Sequence, residues 1–400
     1  MKRPPRRVLH VLNSASGGAA MSTLSLIRQL KRQGVASAAV CHDVGSPAER
    51  EDLLDACDGK ATFAELYWWN KKTRAKWWKR PALEALQLGR TGFAMRSSWT
   101  TLRAAQEHGA ELIHSNTVLT VEGGNVARAL RLPHVWHVRE LLGTLFYLRL
   151  EGAPLGRYLH EHASVMVANS KATAAPLEGL VEEDRLKVVY NGLDLSAFLA
   201  LAPPKGPVKR VVMIANLTSR WKKHKLFIEV AARLRGRAEF VLYGAGADQK
   251  QDEYITGVVA AAEAAGVTLG GFAPPEQILA NADLLVHPVD QESFGRTVVE
   301  AMAAARPVVG IDAGGVRETT VNEDSGLLAG VDDVEGLVRH TQRLLDAQPL
   351  RERLSAAGRA RAKQLFSIES CADQMLSVYS QAMAFPLWSS WSAVSALLAG

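Results

Sequence analysis

Apolar residues in this chain gather in short runs, each stopped by glycine, proline or a polar cluster and followed by a stretch with helical spacing. Residues 7–12 read as a first buried strand, residues 13–19 as its exit loop, and residues 21–32 as a helix closed by Gly34. Strand, glycine-bearing loop and helix in that order open a doubly wound α/β domain, with a site beyond the carboxyl end of the strand. The loop lacks the G-x-G-x-x-G spacing and gives no support for a dinucleotide. Further strands are predicted at 35–42, 110–116, 133–140 and 164–169, with a helix at 121–129.

Residues 201–207 carry three prolines and a glycine and read as a stiff linker. A second doubly wound half follows, with strands at 210–217, 240–246, 267–272 and 282–288 and helices at 226–234, 297–305, 334–347 and 350–366. The expected division is therefore a domain at 1–200, a domain at 201–366, and a closing helix and tail at 367–400.

Composition changes this picture little. A chain of 400 residues with 22% charged side chains is an ordinary two-domain globular protein. Cys41, Cys57 and Cys371 have no metal-like spacing and imply neither a disulfide framework nor a zinc site, which fits a reducing, cytosolic compartment. The net charge of +6 suits anionic lipid, nucleotide or nucleic acid, or has no partner at all. No secretory signal is read at the start, and the uncharged tail from Gln374 is diluted by serine and broken by Pro386, so no span is assigned. Residues 67–80 hold four tryptophans and six basic residues. That mixture suits a lipid headgroup layer or single-stranded nucleic acid, or is an insertion whose tryptophans pack on their own domain.

The candidate chemistry sits where the strand at 282–288 meets the helix at 297–305. Glu292 lies in the loop and Glu300 inside the helix, with Ser293, Phe294 and Gly295 between them at the helix entrance. A helix N-terminus beside a glycine suits a phosphate, and carboxylates on either side suit hydroxyls, so the stretch reads as a site for a sugar nucleotide. The alternative is a helix cap and a surface glutamate. Upstream, Arg220, Lys222, Lys223, His224 and Lys225 crowd the entrance of another helix, against its macrodipole. A diphosphate would account for them.

These motifs resemble one family, the retaining glycosyltransferases of family 4. The E-x7-E from Glu292 to Glu300, the continuation Arg306-Pro307-Val308-Val309, the run from Ala313 to Glu318, and Asp324 to Leu328 follow its pattern in order. The resemblance covers roughly residues 7–365 and implies a GT-B architecture, two facing Rossmann-like domains of parallel sheets with an interdomain cleft, the closing helix packing back toward the first. It implies transfer of a hexose-type sugar from a nucleoside diphosphate sugar to a glycan, a lipid-linked glycan or another hydroxyl acceptor, in cell-surface polysaccharide or glycolipid synthesis. By the same resemblance, Gly17 and Gly18 lie near the donor diphosphate, His137 contacts the donor sugar, and Lys222 meets the diphosphate. Arg220 stands in for a family arginine whose position is held here by Asn216. The backbone around Phe272 meets the nucleobase, Glu300 the ribose, and Glu292 the hexose. Arg139 and Glu140, after the same strand as His137, are weaker candidates. No metal, cofactor or nucleic acid is expected, and peripheral membrane contact through residues 67–80 is. The competing readings are a GT-B binding protein that has lost its chemistry and a GT-B epimerase.

Overall fold

The structure is a computed structural model that describes residues 3–68, 70–71, 97–145, 147–148, 152–249 and 251–385. The chain divides into two units: Met1–Leu193 with Ile368–Gly400, and Asp194–Ser367. In the first, strands β1 (Arg7–Leu12), β2 (Ala36–His42), β3 (Ala61–Ala64), β4 (Leu112–Ser115), β5 (His134–Val138), β6 (Val165–Ala168) and β7 (Leu186–Val188) form one sheet in the order β3-β2-β1-β4-β5-β6-β7. All its pairings are parallel. Strands β4, β5 and β6 are buried along their whole length; β6 is a continuous apolar run, whereas β4 and β5 also bury His114, Ser115, His134 and His137.

The second unit repeats the plan. Strands β8 (Arg210–Ile214), β9 (Glu239–Tyr243), β10 (Thr268–Gly271), β11 (Leu284–His287), β12 (Val308–Ile311) and β13 (Leu327–Ala329) run parallel in the order β10-β9-β8-β11-β12-β13. Its core joins Val211, Met213, Phe227, Phe240, Leu242, Leu284 and Val286 to Leu337, Leu344 and Leu354 of the covering helices. The short strands β3, β7, β12 and β13 were not among the expected elements. They lie at or toward the sheet edges, where three or four residues suffice and the apolar signal is brief.

One boundary differs from expectation. The first division falls between Leu193 and Asp194, ahead of the proline-rich segment. Residues 199–202 are held by the second unit: Arg359 donates to the carbonyl oxygens of Leu199 and Leu201, and Arg306 to that of Ala202. The prolines therefore stiffen a segment inside this unit instead of linking two. At the end of the chain, helix Ile368–Ala384 belongs to the first unit, the side toward which the resemblance has it pack. Its Met375, Val378 and Tyr379 pack with Val8, Leu26, Leu30 and Val135, and the Ile368 amide donates to Leu193 O. Among the described residues, no helix is long and apolar enough to cross a membrane, and all three cysteines are free and buried.

Candidate functional site

In the second unit the site residues collect at the carboxyl edge of the sheet. Strand β11 ends at His287, and Asp290, Glu292 and Gly295 follow before helix Arg296–Ala303 begins. Gly295, at φ +89°, makes the turn into this helix from a left-handed conformation that side chains disfavour. A second glycine pair holds the loop from behind. The Gly315 amide donates to Glu292 O at 2.8 Å, and a Cβ on Gly315 would lie 2.5 Å from Phe294 Cα. Gly315→Ala is therefore expected to displace backbone rather than a soft side chain, costing about 2 kcal/mol or more. Chemical denaturation against wild type checks this.

Glu292 is 14% exposed and pairs through Oε1 with the Lys222 ammonium; the His287 Nε2 lies 3.3 Å from the same oxygen. Lys222 belongs to a short 3-10 turn, Arg220–Lys222, that precedes helix His224–Arg233. The neighbouring Lys223 bridges Asp290 at 2.7 Å and Asp332 at 2.8 Å. The basic loop is thus tied to the acidic loop by two adjacent ion pairs. Burial alone would push the Glu292 carboxyl up, but Lys222 and His287 outweigh it and hold the group at about 2.

A depressed carboxylate stabilises the fold above its ordinary value of 4.5, and that contribution is lost as pH falls from there toward about 2. The full contribution is about 3 kcal/mol. Denaturation midpoints measured across that window should fall more steeply for wild type than for Glu292→Gln.

Glu300 is also buried, and its carboxylate accepts from Arg296 Nε at 2.7 Å, one turn back along the helix. Burial raises its pKa while the guanidinium opposes the rise. Phe272, just past β10, is 76% exposed. Phe294, between the two glutamates, instead points into the core and meets Phe366 edge-on, with ring centroids 5.5 Å apart.

One expected residue of this half, Arg220, lies elsewhere, and Asn216 at the family arginine's position has another task. The Arg220 guanidinium reaches Asp252 at 2.8 Å and lies over the Tyr254 ring, turned aside from the Lys222–Glu292 pair. Asn216 accepts from the Ala245 amide at 3.0 Å and closes the glycine turn after β9, a structural task.

In the first unit, Gly17 and Gly18 are exposed at the start of helix Gly17–Arg32, and Gly17 has φ +84°. His137 is not after its strand but within it, and it is 1% exposed. Its ring stacks on His114 at 5.4 Å between centroids, and His114 in turn bonds the Tyr379 hydroxyl at 2.7 Å. Burial holds His10, His114 and His137 below the ordinary imidazole range, His10 at about 3, so the cluster is neutral at physiological pH. The residues that emerge at the strand's carboxyl end are Arg139 and Glu140. Glu140 accepts from Thr117 Oγ1 at 2.5 Å and from the Arg139 amide at 3.0 Å.

Of the tryptophan-rich segment, Tyr67 and Trp68 pack on the apolar cluster around Val118, Trp136 and Leu159, the packing alternative for those two positions. Residues 69 and 72–80 lie outside the described residues. A groove of about 840 Å³ in the second unit, bordered by Val208, Asp283, Arg351 and Arg359, contains none of the candidate site residues.

Residues 16–197 match the model described as Glycosyltransferase Family 4, and residues 208–347 the model described as Glycosyl transferases group 1. The chain belongs to this glycosyltransferase family, and its fold class is GT-B. Among curated relatives, the lipopolysaccharide core biosynthesis mannosyltransferase LpsB of Rhizobium meliloti is 38% identical over 103 residues, 25% of this chain and 29% of that protein. The D-inositol 3-phosphate glycosyltransferase of Salinispora tropica is 28% identical over 323 residues, 71% of this chain and 66% of that protein. The structure of Anabaena HepE in complex with UDP superposes with a TM-score of 0.74 at 22% identity, covering 94% of this chain and 99% of that one.

Proposed function

We propose that this protein is a retaining glycosyltransferase that takes a hexose-type sugar from a nucleoside diphosphate sugar and passes it to a hydroxyl of a glycan or lipid-linked acceptor. The observation that carries this reading is the placement of Lys222, Glu292 and Glu300 around one strand-to-helix turn. Departure of a nucleoside diphosphate puts negative charge on the leaving phosphate. The Lys222 ammonium, with the helix entrance at Gly295, is placed to stabilise that charge as it develops, where electrostatics accelerates a reaction most. Once Lys222 turns to the diphosphate, the Glu292 carboxylate is released to accept from hydroxyls of the donor hexose. Glu300, with one oxygen on Arg296, keeps the other for the ribose diol.

Support for the donor class comes from the HepE complexes, whose ligands are UDP, glucose and UDP-glucose. The donor is a co-substrate, and no cofactor is assigned. Support for an acceptor in cell-surface polysaccharide or glycolipid synthesis comes from the relative that builds lipopolysaccharide core. Such an acceptor fits a peripheral contact at a membrane's inner face through the basic, tryptophan-rich stretch, which flotation with anionic vesicles would detect. A non-catalytic binder is the second reading, favoured by Asn216 and Arg220 being engaged away from the Lys222–Glu292 pair. Incubation with a sugar nucleotide and a glycan acceptor separates the two. A product whose anomeric proton coupling matches the donor's supports the transferase, inversion contradicts retention, and binding without product favours the binder.

A further inference from the structure

The guanidinium of Arg139 is not explained by the fold around it. Arg139 is the first residue past β5, at the carboxyl edge of the first unit's sheet, where open α/β sheets take their ligands. It is 6% exposed. Buried charges are ordinarily paired, because an uncompensated one is costly. Among the described residues its hydrogen-bond partners are neutral: Nη1 donates to Asn191 Oδ1, Nη2 lies 3.4 Å from His137 Nδ1, and Nε has no partner. The carboxylate of Glu140 supports the cation electrostatically but accepts its hydrogen bonds from the Thr117 hydroxyl and from the amides of Val118 and Arg139. Cys371 and Tyr379, which also border the guanidinium, are held un-ionised by burial. Burial lowers the Arg139 pKa only to about 10, so the cation persists at neutral pH. The His137 Nε2 is likewise buried without a partner.

A guanidinium offers five donors in a planar fork, and this one spends few of them. Carboxylates and phosphates match that fork in two parallel hydrogen bonds, which a neutral hydroxyl cannot reproduce. We propose that Arg139 is the anion-binding residue of a substrate subsite in the first unit, taking a carboxylate or phosphate carried on a sugar. The subsite rests on the transferase reading for its assignment to a sugar substrate. The anion has two sources of one chemistry, a uronic acid or a phosphorylated sugar.

The test is binding by calorimetry of three matched pairs: UDP-glucose against UDP-glucuronate, glucose against glucuronate, and glucose against glucose 6-phosphate. Wild type, Arg139→Gln, Arg139→Lys and Asn191→Ala are compared. Wild type should bind the anionic member of at least one pair about tenfold or more tightly than the neutral one. The glucuronate pairs and the glucose 6-phosphate pair tell the two sources apart. Arg139→Gln should erase the preference, Arg139→Lys should keep part of it, and Asn191→Ala should keep it because the cation stays. Equal affinity within all three pairs, or a preference that survives in Arg139→Gln, overturns the proposal. If Arg139→Gln does not fold, the other variants decide. Preference retained in Arg139→Lys and Asn191→Ala supports the subsite, and preference lost in Asn191→Ala assigns Arg139 to latching residue 191. A protein that discriminates the anion but transfers no sugar defeats the transferase reading alone; one that transfers between neutral sugars with no preference defeats the subsite alone.

Discussion

Glu292→Gln is expected to lower kcat for sugar transfer about a hundredfold to a thousandfold, the loss typical of one preorganised polar group at a reacting centre. Glutamine keeps the shape and an oxygen for Lys222 but removes the charge. Glu292 Oε1 pairs with Lys222 and lies 3.3 Å from His287 Nε2, which keeps the carboxylate ionised and oriented. The amide cannot accept as strongly from a sugar hydroxyl, nor hold the lysine in place for the diphosphate. The measurement is steady-state turnover alongside circular dichroism, and near-normal kcat in a folded variant would remove Glu292 from the mechanism.

Lys222→Ala should act on a different quantity. Hydrogen bonds to charged groups contribute about 1.5–3 kcal/mol, so affinity for a nucleoside diphosphate should fall about tenfold to a hundredfold. Lys223→Ala is the control. Its ammonium is committed to Asp290 and Asp332, so the loss should appear in stability more than in nucleotide affinity. Calorimetric titration of both variants with UDP and GDP separates them, and equal losses would mean that the basic loop acts only as a scaffold.

Much of the second unit's site was legible because it is local. A strand, a loop with Glu292 and a helix with Glu300 follow one another directly, and four cations with a histidine at a helix entrance contradict the helix dipole plainly enough to demand an anion. What failed depends on contacts distant in sequence. Arg220 turns away because Asp252, 32 positions on, is there to receive it. His287 reads as the last residue of an apolar run, and only the turn back of Glu292 makes it a neighbour of the site. In the first unit the position of His137 was read without the register of its strand. His137 and Arg139 lie on the same side of the alternation, and which of them clears the sheet depends on where β5 stops. Pairing of Val138 with Ala168 fixes that stop, leaving His137 in the core and Arg139 at the edge. The family resemblance had the motif order right, but it could not supply that register.

The sugar-nucleotide site proposed for the second unit is built by Lys222 and Glu300. Its most direct measurement is a thermal-shift titration with UDP-, GDP-, ADP- and dTDP-sugars on wild type, Lys222→Ala and Glu300→Ala. A ligand bound only by the folded state stabilises it by about 2.7 kcal/mol at a hundred times Kd. Such a site gives a shift with one nucleotide class that is lost or sharply reduced in both variants. A shift that is undiminished in both variants, or none with any donor, would contradict it.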